Sequence, residues 1–386
     1  MCFRCAATLE RASGRNLTYG LALALGTLLL LFPANLMTLL SVSVAGVDRS
    51  SRLGSGVAGM WAQGWPLLAI VVGLQGVVLP FFRFGVLVAA LAAIRFHRAD
   101  DATGMLFRWA EELDRWAMPD VFLIGAAVGY SRVAVHLDTR IGPGGWCLIG
   151  AAVLAMLTRA TLDRRAIWQA ILASGATHSS VRGAVSESRP DHPLLACTSC
   201  DLVVPSASEG ARCPRCRAAL HHRQPFSLTR TMALISAGYL LYPAANYFPM
   251  SIDIQFGEAK NHTIVSGIEQ LVAAGGWPIA VLIFTTSIAI PLLKLVGLTW
   301  LVWSVKRGSG RRLRVKTRLY RVIGEIGRWS NVDVFTIAIF LPLMQFDGLV
   351  SVRAATGAPA FLAVVVLTML AVRCFDPRLI WDSGRT

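Results

Sequence analysis

A chain of 386 residues that is 55% hydrophobic and only 15% charged, with a mean hydropathy of +0.57, is too apolar for a soluble globular protein. Its net charge of +15 must be read by position, because in a membrane chain Lys and Arg set orientation before they recognise anything. No phosphate loop, nucleophile motif or HExxH pattern occurs, so nothing points to a soluble enzyme.

The chain opens MCFRCAATL, a lone CxxC pair of Cys2 and Cys5 that supplies only half of what a tetrahedral zinc needs. Eight apolar runs follow, at 17–40, 65–94, 118–137, 145–160, 228–250, 277–305, 329–346 and 358–374. Each is read as a membrane helix, since about 20 helical residues cross a hydrocarbon core. The first run is too long for a signal-peptide core and no A-x-A site follows it, so it is expected to remain as an anchor. Pro33, Pro66, Pro80, Pro243, Pro278 and Pro291 interrupt or border spans one, two, five and six, and are expected to fix kinks.

The loop 306–321 carries eight Lys or Arg, the loop 95–115 and the linker from Arg159 to Arg223 also read as basic, and the loops 41–56, 251–263 and 347–357 hold few. The positive-inside rule therefore places both termini, the linker and the two basic loops in the cytoplasm. Contact with anionic headgroups, not nucleic-acid binding, is the expected use of the basic loops.

The sequence repeats itself. A shift of 211 places Cys2 and Cys5 on Cys213 and Cys216, Asn35 on Asn246, Ser55-Gly56 on Ser266-Gly267, and LPFFRF (79–84) on IPLLKL (290–295). A shift of 213 places ELDRWAMPDVF (112–122) on EIGRWSNVDVF (325–335), and MLTRATLDRRAIW (156–168) on MLAVRCFDPRLIW (369–381). Four helices per unit is an even number, so the two units are expected to be parallel. The expected fold class is an all-α integral membrane protein with two parallel repeats of four transmembrane helices. The parts are a partial CxxC element (1–16), the first repeat (17–170), a linker (171–192), a zinc-ribbon-like four-cysteine domain (193–224) and the second repeat (225–386). By this alignment the chain starts at the second CxxC of an element whose first pair is expected about 16 residues upstream, by analogy with Cys197.

Cys197, Cys200, Cys213 and Cys216 form CxxC-x12-CxxC, a spacing that wraps four thiolates round one zinc. Four protein ligands leave no open position, so a structural zinc is expected and a disulfide is not, given the cytoplasmic placement. His221 and His222 follow the knuckle but are not needed as ligands; Cys147 and Cys374 are read as packing residues.

Ionisable groups inside spans are costly. Lys294 lies deep in span six with Ser287 two turns earlier; Asp333 and Ser330 share a face of span seven; Thr368 is a rare polar group in span eight. Ser287, Lys294, Ser330, Asp333 and Thr368 are expected to converge into one polar cluster, with Lys294 and Asp333 an ion pair switchable by one proton. The first-repeat counterparts are Gly76, Arg83, Ala117, Asp120 and Ala155, so the ion pair, as Arg83 with Asp120, is expected to survive there without its hydroxyl partners.

The four-cysteine knuckle, the AN-x-x-P-M helix end (Ala245 to Met250), Ser266-Gly267, P-x-x-K (Pro291, Lys294) and RWS-x-x-DVF (Arg328 to Phe335), with a degenerate first-half copy, resemble the paraquat-inducible protein A family, PqiA and LetA. The resemblance spans essentially the whole chain. It implies a bacterial inner-membrane protein, not an enzyme, that partners an MCE-domain protein whose rings form a periplasmic tunnel, and that loads or extracts phospholipid there to support outer-membrane integrity. The chain departs from the family pattern in its half-missing first knuckle and in PANLMTLL, which lacks the motif's proline. The competing readings are a membrane thiol/quinone oxidoreductase, which the cytoplasmic cysteines oppose, and a passive anchor for the MCE partner, which the intramembrane charges oppose.

Overall fold

The computed structural model describes residues 17–44, 47–134, 138–174, 194–205, 209–255, 258–345 and 350–382; Cys2 and Cys5 lie outside them. In the first half the elements run α1 (Leu17–Leu36), β1 (Leu40–Val44), β2 (Val47–Ser51), α2 (Leu53–Ala62), α3 (Pro66–Arg95), α4 (Asp101–Leu113), α5 (Pro119–Ala134), β3 (Asp138–Ile141), α6 (Pro143–Thr161) and α7 (Arg164–Ala173). The hairpin β4 (Leu194–Ala196) and β5 (Val203–Pro205) belongs to the cysteine element. The second half then runs α8 (Ser227–Tyr247), β6 (Ser251–Gln255), β7 (Glu258–His262), α9 (Ile264–Ala273), α10 (Trp277–Lys306), α11 (Leu313–Ile326), α12 (Val332–Leu343), β8 (Val350–Ala354), α13 (Gly357–Cys374) and α14 (Leu379–Asp382). The order of helices and strands is the same in both halves.

One expectation needs correction. The fold is not all-α: the loops between spans on one side form antiparallel sheets of order β2-β1-β3 and β7-β6-β8, with Leu40 opposite both Ser51 and Ile141, and Ser251 opposite both His262 and Ala354. Runs such as LSVSV satisfy their backbone groups by pairing once the chain leaves the helix ladder. Among the described residues, five helices are by length and composition alone long and apolar enough to cross a membrane: α1, α3, α6, α10 and α13. Of the other three expected spans, α8 has 21 residues, α5 has 16 and α12 only 12. At 1.5 Å per residue α12 itself reaches roughly 18 Å, and the 3-10 turn Gly327–Asn331 leads directly into it.

The short pair α5 and α12 forms the centre, one helix from each half. The Phe122 and Phe335 rings lie 5.1 Å apart, and Thr336 Oγ1 donates to the Gly125 carbonyl at 3.2 Å. A Cβ on Gly125 would stand 2.8 Å from the Phe335 Cβ, so glycine is what permits this approach. Around this core α1 packs on α6 and α8 on α13.

Both long helices contain a π turn, Leu74–Val78 in α3 and Phe284–Ala289 in α10. Each precedes a proline, Pro80 and Pro291, whose missing N–H and ring bulk break the bond to the carbonyl four residues back. Those carbonyls belong to Gly76 and Ser287, inside the π turns. The expected kinks are therefore wide turns that rotate Ser287 and the residues after it relative to an ideal helix.

The loops read as basic contain helices. Acidic residues offset the basic ones in 95–115, where Arg95, Arg98, Arg108 and Arg115 face Asp100, Asp101, Glu111, Glu112 and Asp114. Helix α4 starts on an Asp100 cap whose carboxylate accepts from the Ala102 and Thr103 amides.

Candidate functional site

The four cysteines meet as their spacing requires. Each knuckle is a tight turn: the Cys197 amide donates to Leu202 O and the Cys213 amide to Ala218 O, with Asp201 and Arg217 in the left-handed region at matching positions. The four Sγ atoms lie within 4.8 Å of one another, with Cys197 to Cys216 and Cys200 to Cys213 each at 3.6 Å. Tetrahedral zinc with Zn–S bonds near 2.3 Å sets its sulfurs about 3.8 Å apart, so the donor set fits a closed metal site. Hydrogen bonding to Cys197 and then to Cys213 pushes the Cys200 thiol up, and hydrogen bonding to Cys197, Cys200 and Cys213 pushes the Cys216 thiol up. Four thiolates this close need a cation between them.

The cysteine element docks on the first half, which its place before the second half did not foretell. Arg215 stacks over the Trp168 ring at 5.1 Å and its guanidinium donates to the Cys200 carbonyl, while Phe107 meets Trp168 edge-on at 5.0 Å. Gly104 of α4 lies so close to the Arg215 carbonyl that a Cβ would stand 2.0 Å from it. Arg164 pairs with Glu111 at 2.5 Å and also donates to the Ser199 carbonyl. Burial pushes the Glu111 carboxyl up to about 7 against the pull of Arg164. Towards the second half, Arg223 pairs with Asp382 at 2.6 Å.

In the second half the five expected polar residues are all buried: Ser287, Ser330 and Thr368 completely, Lys294 and Asp333 nearly so. Their hydrogen bonds form two links. Ser287 Oγ donates to the Asp333 carboxylate. Lys294 Nζ donates to Gly327 O at 3.0 Å and to Thr368 Oγ1 at 3.3 Å. The Ser330 hydroxyl is buried with no hydrogen-bond partner among the described residues. The segment Gly327–Asn331 is a 3-10 turn, and it carries Gly327, Arg328, Ser330 and the fully buried Asn331 in one stretch.

The first half holds a different network. Arg83 pairs with Asp114, not with the expected Asp120. Asp120 takes Arg159 at 2.7 Å and Arg328 at 3.4 Å, and Arg159 also reaches Asp114 at 2.8 Å. Asp114 stands where the second half has Gly327, so Arg83 finds a carboxylate where Lys294 finds a backbone carbonyl. Three guanidinium groups thus share two carboxylates, and one of them, Arg328, comes from the second half. Asp114, Arg159 and Gly327 were not singled out in the sequence; Arg328 was visible in the RWS motif but without a role.

The profile of the family described as Paraquat-inducible protein A matches residues 17–172 and 228–384. The Escherichia coli K12 protein named "Intermembrane transport protein PqiA" is 31% identical over 384 residues, covering 99% of this chain and 90% of that protein. "Lipophilic envelope-spanning tunnel protein A" of the same organism is 28% identical over 386 residues, covering 99% and 86%. A Haemophilus influenzae "Probable intermembrane transport protein" is 26% identical over 362 residues, covering 92% and 84%. No solved structure matches. These relatives carry transport names, and five long apolar helices make the chain a multi-pass membrane protein. With both halves matched by the profile, the chain belongs to the paraquat-inducible protein A family.

Proposed function

We infer that this chain is an inner-membrane lipid transport subunit built from two parallel repeats. It loads or extracts phospholipid for a periplasmic MCE-domain tunnel and so supports outer-membrane integrity. Both termini and the cysteine element face the cytoplasm, and Zn2+ held by Cys197, Cys200, Cys213 and Cys216 fastens that element. When bound, the metal supplies charge balance and a rigid fold, with no open position for chemistry.

One observation carries the reading: five buried polar side chains gather on α10, α12, α13 and the turn before α12, in a chain whose long helices are apolar. A passive anchor gains nothing from Lys294 in such a place, since buried charge is costly unless it is used. Lys294 and Asp333 act as the charged pair, with Thr368 and Ser287 holding one member each. A single proton changes the charge of this low-dielectric cluster by one unit, which is what a proton-coupled step requires.

The test compares Lys294→Ala, Asp333→Asn and Asp120→Asn at matched membrane abundance for rescue of outer-membrane integrity in a deletion strain. Both second-half variants are expected to fail. Full rescue by both of them refutes the relay, and failure of Asp120→Asn alone moves the working site to the first half.

A further inference from the structure

We propose that the outer face of α8 and α10 is a binding site for an anionic phospholipid, with one acyl chain in the groove between them and the headgroup phosphate on Arg307. The groove, of about 340 Å³, is lined by Tyr239, Val296, Thr299, Trp300 and Trp303. At its end the Arg307 guanidinium lies 3.7 Å from the centroid of the Trp303 ring. Stacking on the indole fixes the guanidinium plane and leaves its N–H edge to grip a phosphodiester. One turn deeper than Trp303, roughly 6 Å along the helix, the Thr299 and Tyr239 hydroxyls lie 3.3 Å apart and face the same groove, at a depth suited to glycerol ester carbonyls.

The surface beyond Arg307 continues the same chemistry. Helix α11 is entered through Arg312 in the left-handed region, and it buries Lys316, Thr317 and Ile323. Arg318, Val315 and Val322 lie exposed on the opposite side, and Arg311 is exposed just before the helix. An arginine among exposed valines on one helix face, with Arg311 at its entry, suits the headgroup layer of an anionic leaflet, where each cation near the surface adds to the attraction.

The first half provides an internal contrast. The matching face of α3 bears a groove of about 560 Å³ lined only by apolar residues and glycine, among them Gly85 and Ala89, which align with Val296 and Trp300. Ala92 and Phe96 stand where the second half has Trp303 and Arg307. Helix α4, the counterpart of α11, carries Asp101, Glu111 and Glu112 against Arg108, and its buried face is taken by the cysteine element. Charge and shape thus single out the second half. The site is separate from the transport cluster: Lys294 lies on the other face of α10 and is buried there.

The experiment reconstitutes the full chain in nanodiscs of phosphatidylglycerol and phosphatidylethanolamine in equal amounts. Bulk lipid is stripped with detergent, and the retained lipids are counted by mass spectrometry. The wild-type protein is expected to retain phosphatidylglycerol preferentially. Arg307→Gln should lower the retained phosphatidylglycerol to phosphatidylethanolamine ratio about fivefold, the factor for one cation facing anionic lipid. Trp303→Ala should lower it too, by freeing Arg307, while Arg95→Gln at the end of α3 should not. Thermal midpoints measured alongside exclude unfolding. An unchanged ratio in both second-half variants, no preference in the wild type, or an equal loss in Arg95→Gln each overturns the site.

Discussion

Two glycines aligned by the repeat meet opposite surroundings, and alanine at each isolates one energetic term. Gly56 of α2 presses on α12: a Cβ there would stand 1.8 Å from the Ala338 carbonyl oxygen, against the 3.0 Å below which such contacts essentially never occur. At Gly267 of α9 a Cβ would meet nothing within 4 Å. Both glycines follow a serine, Ser55 and Ser266, at the third helical position, whose hydroxyl accepts from the backbone amide of the residue before the helix, so their helical settings are alike. Alanine improves either helix by up to about 1 kcal/mol through propensity. That gain cancels in the comparison, leaving the steric cost at Gly56. The shortfall of 1.2 Å (3.0 minus 1.8) is against backbone, which cannot rotate away as a side chain would. Overpacking costs about 1–3 kcal/mol, and a backbone clash belongs at the top of that range. Gly56→Ala is therefore expected to be about 3 kcal/mol less stable than Gly267→Ala, with Gly267→Ala at or slightly above wild type. The assay is reversible unfolding of the purified protein in mixed micelles of rising SDS content. Equal shifts for the two variants, or a larger loss at Gly267, would refute the packing of α2 on α12.

Metal analysis is expected to find about one zinc per chain in the cysteine element, as a closed four-ligand site implies, and none after Cys213→Ser with Cys216→Ser; zinc that survives the double change removes the site. Asp120→Asn should destabilise by about 3–5 kcal/mol, because it leaves three arginines on Asp114 alone. Combined with Arg328→Gln it should cost clearly less than the sum of the two, and strict additivity would show that Arg328 does not bind the halves together through Asp120. Trp168→Ala removes the ring under Arg215 and beside Phe107, and is expected to expose the 194–224 element to limited proteolysis while its zinc content holds. Unchanged protection would mean that the element is held by other contacts.

The sequence made legible whatever is encoded locally or repeated. The CxxC spacing determined the cysteine cluster, because each knuckle closes over five or six residues whatever surrounds it. The two shifts determined which residues correspond, and polarity inside apolar runs marked Ser287, Lys294, Ser330, Asp333 and Thr368 as a buried set. Helical spacing alone placed Ser287 and Lys294 on one face.

Only the tertiary structure decided how the copies differ. Hydropathy cannot distinguish a helix exposed to lipid from one buried against protein, so the pairing of α5 with α12 at the centre was not legible in their apolar runs. Amphipathic α4 and α11 read as loops because their charges hid a periodic apolar face. Which charge meets which is set by helix packing over tens of residues: Arg83 turned to Asp114, although the aligned positions suggested Asp120, and Arg328 crossed to Asp120. The same holds for Gly56 and Gly267, each after a serine at aligned positions, of which one is a contact between halves and the other faces open space. A repeat dictates similar units; the unequal surroundings of each unit come from packing two of them in one chain, and no local pattern records that.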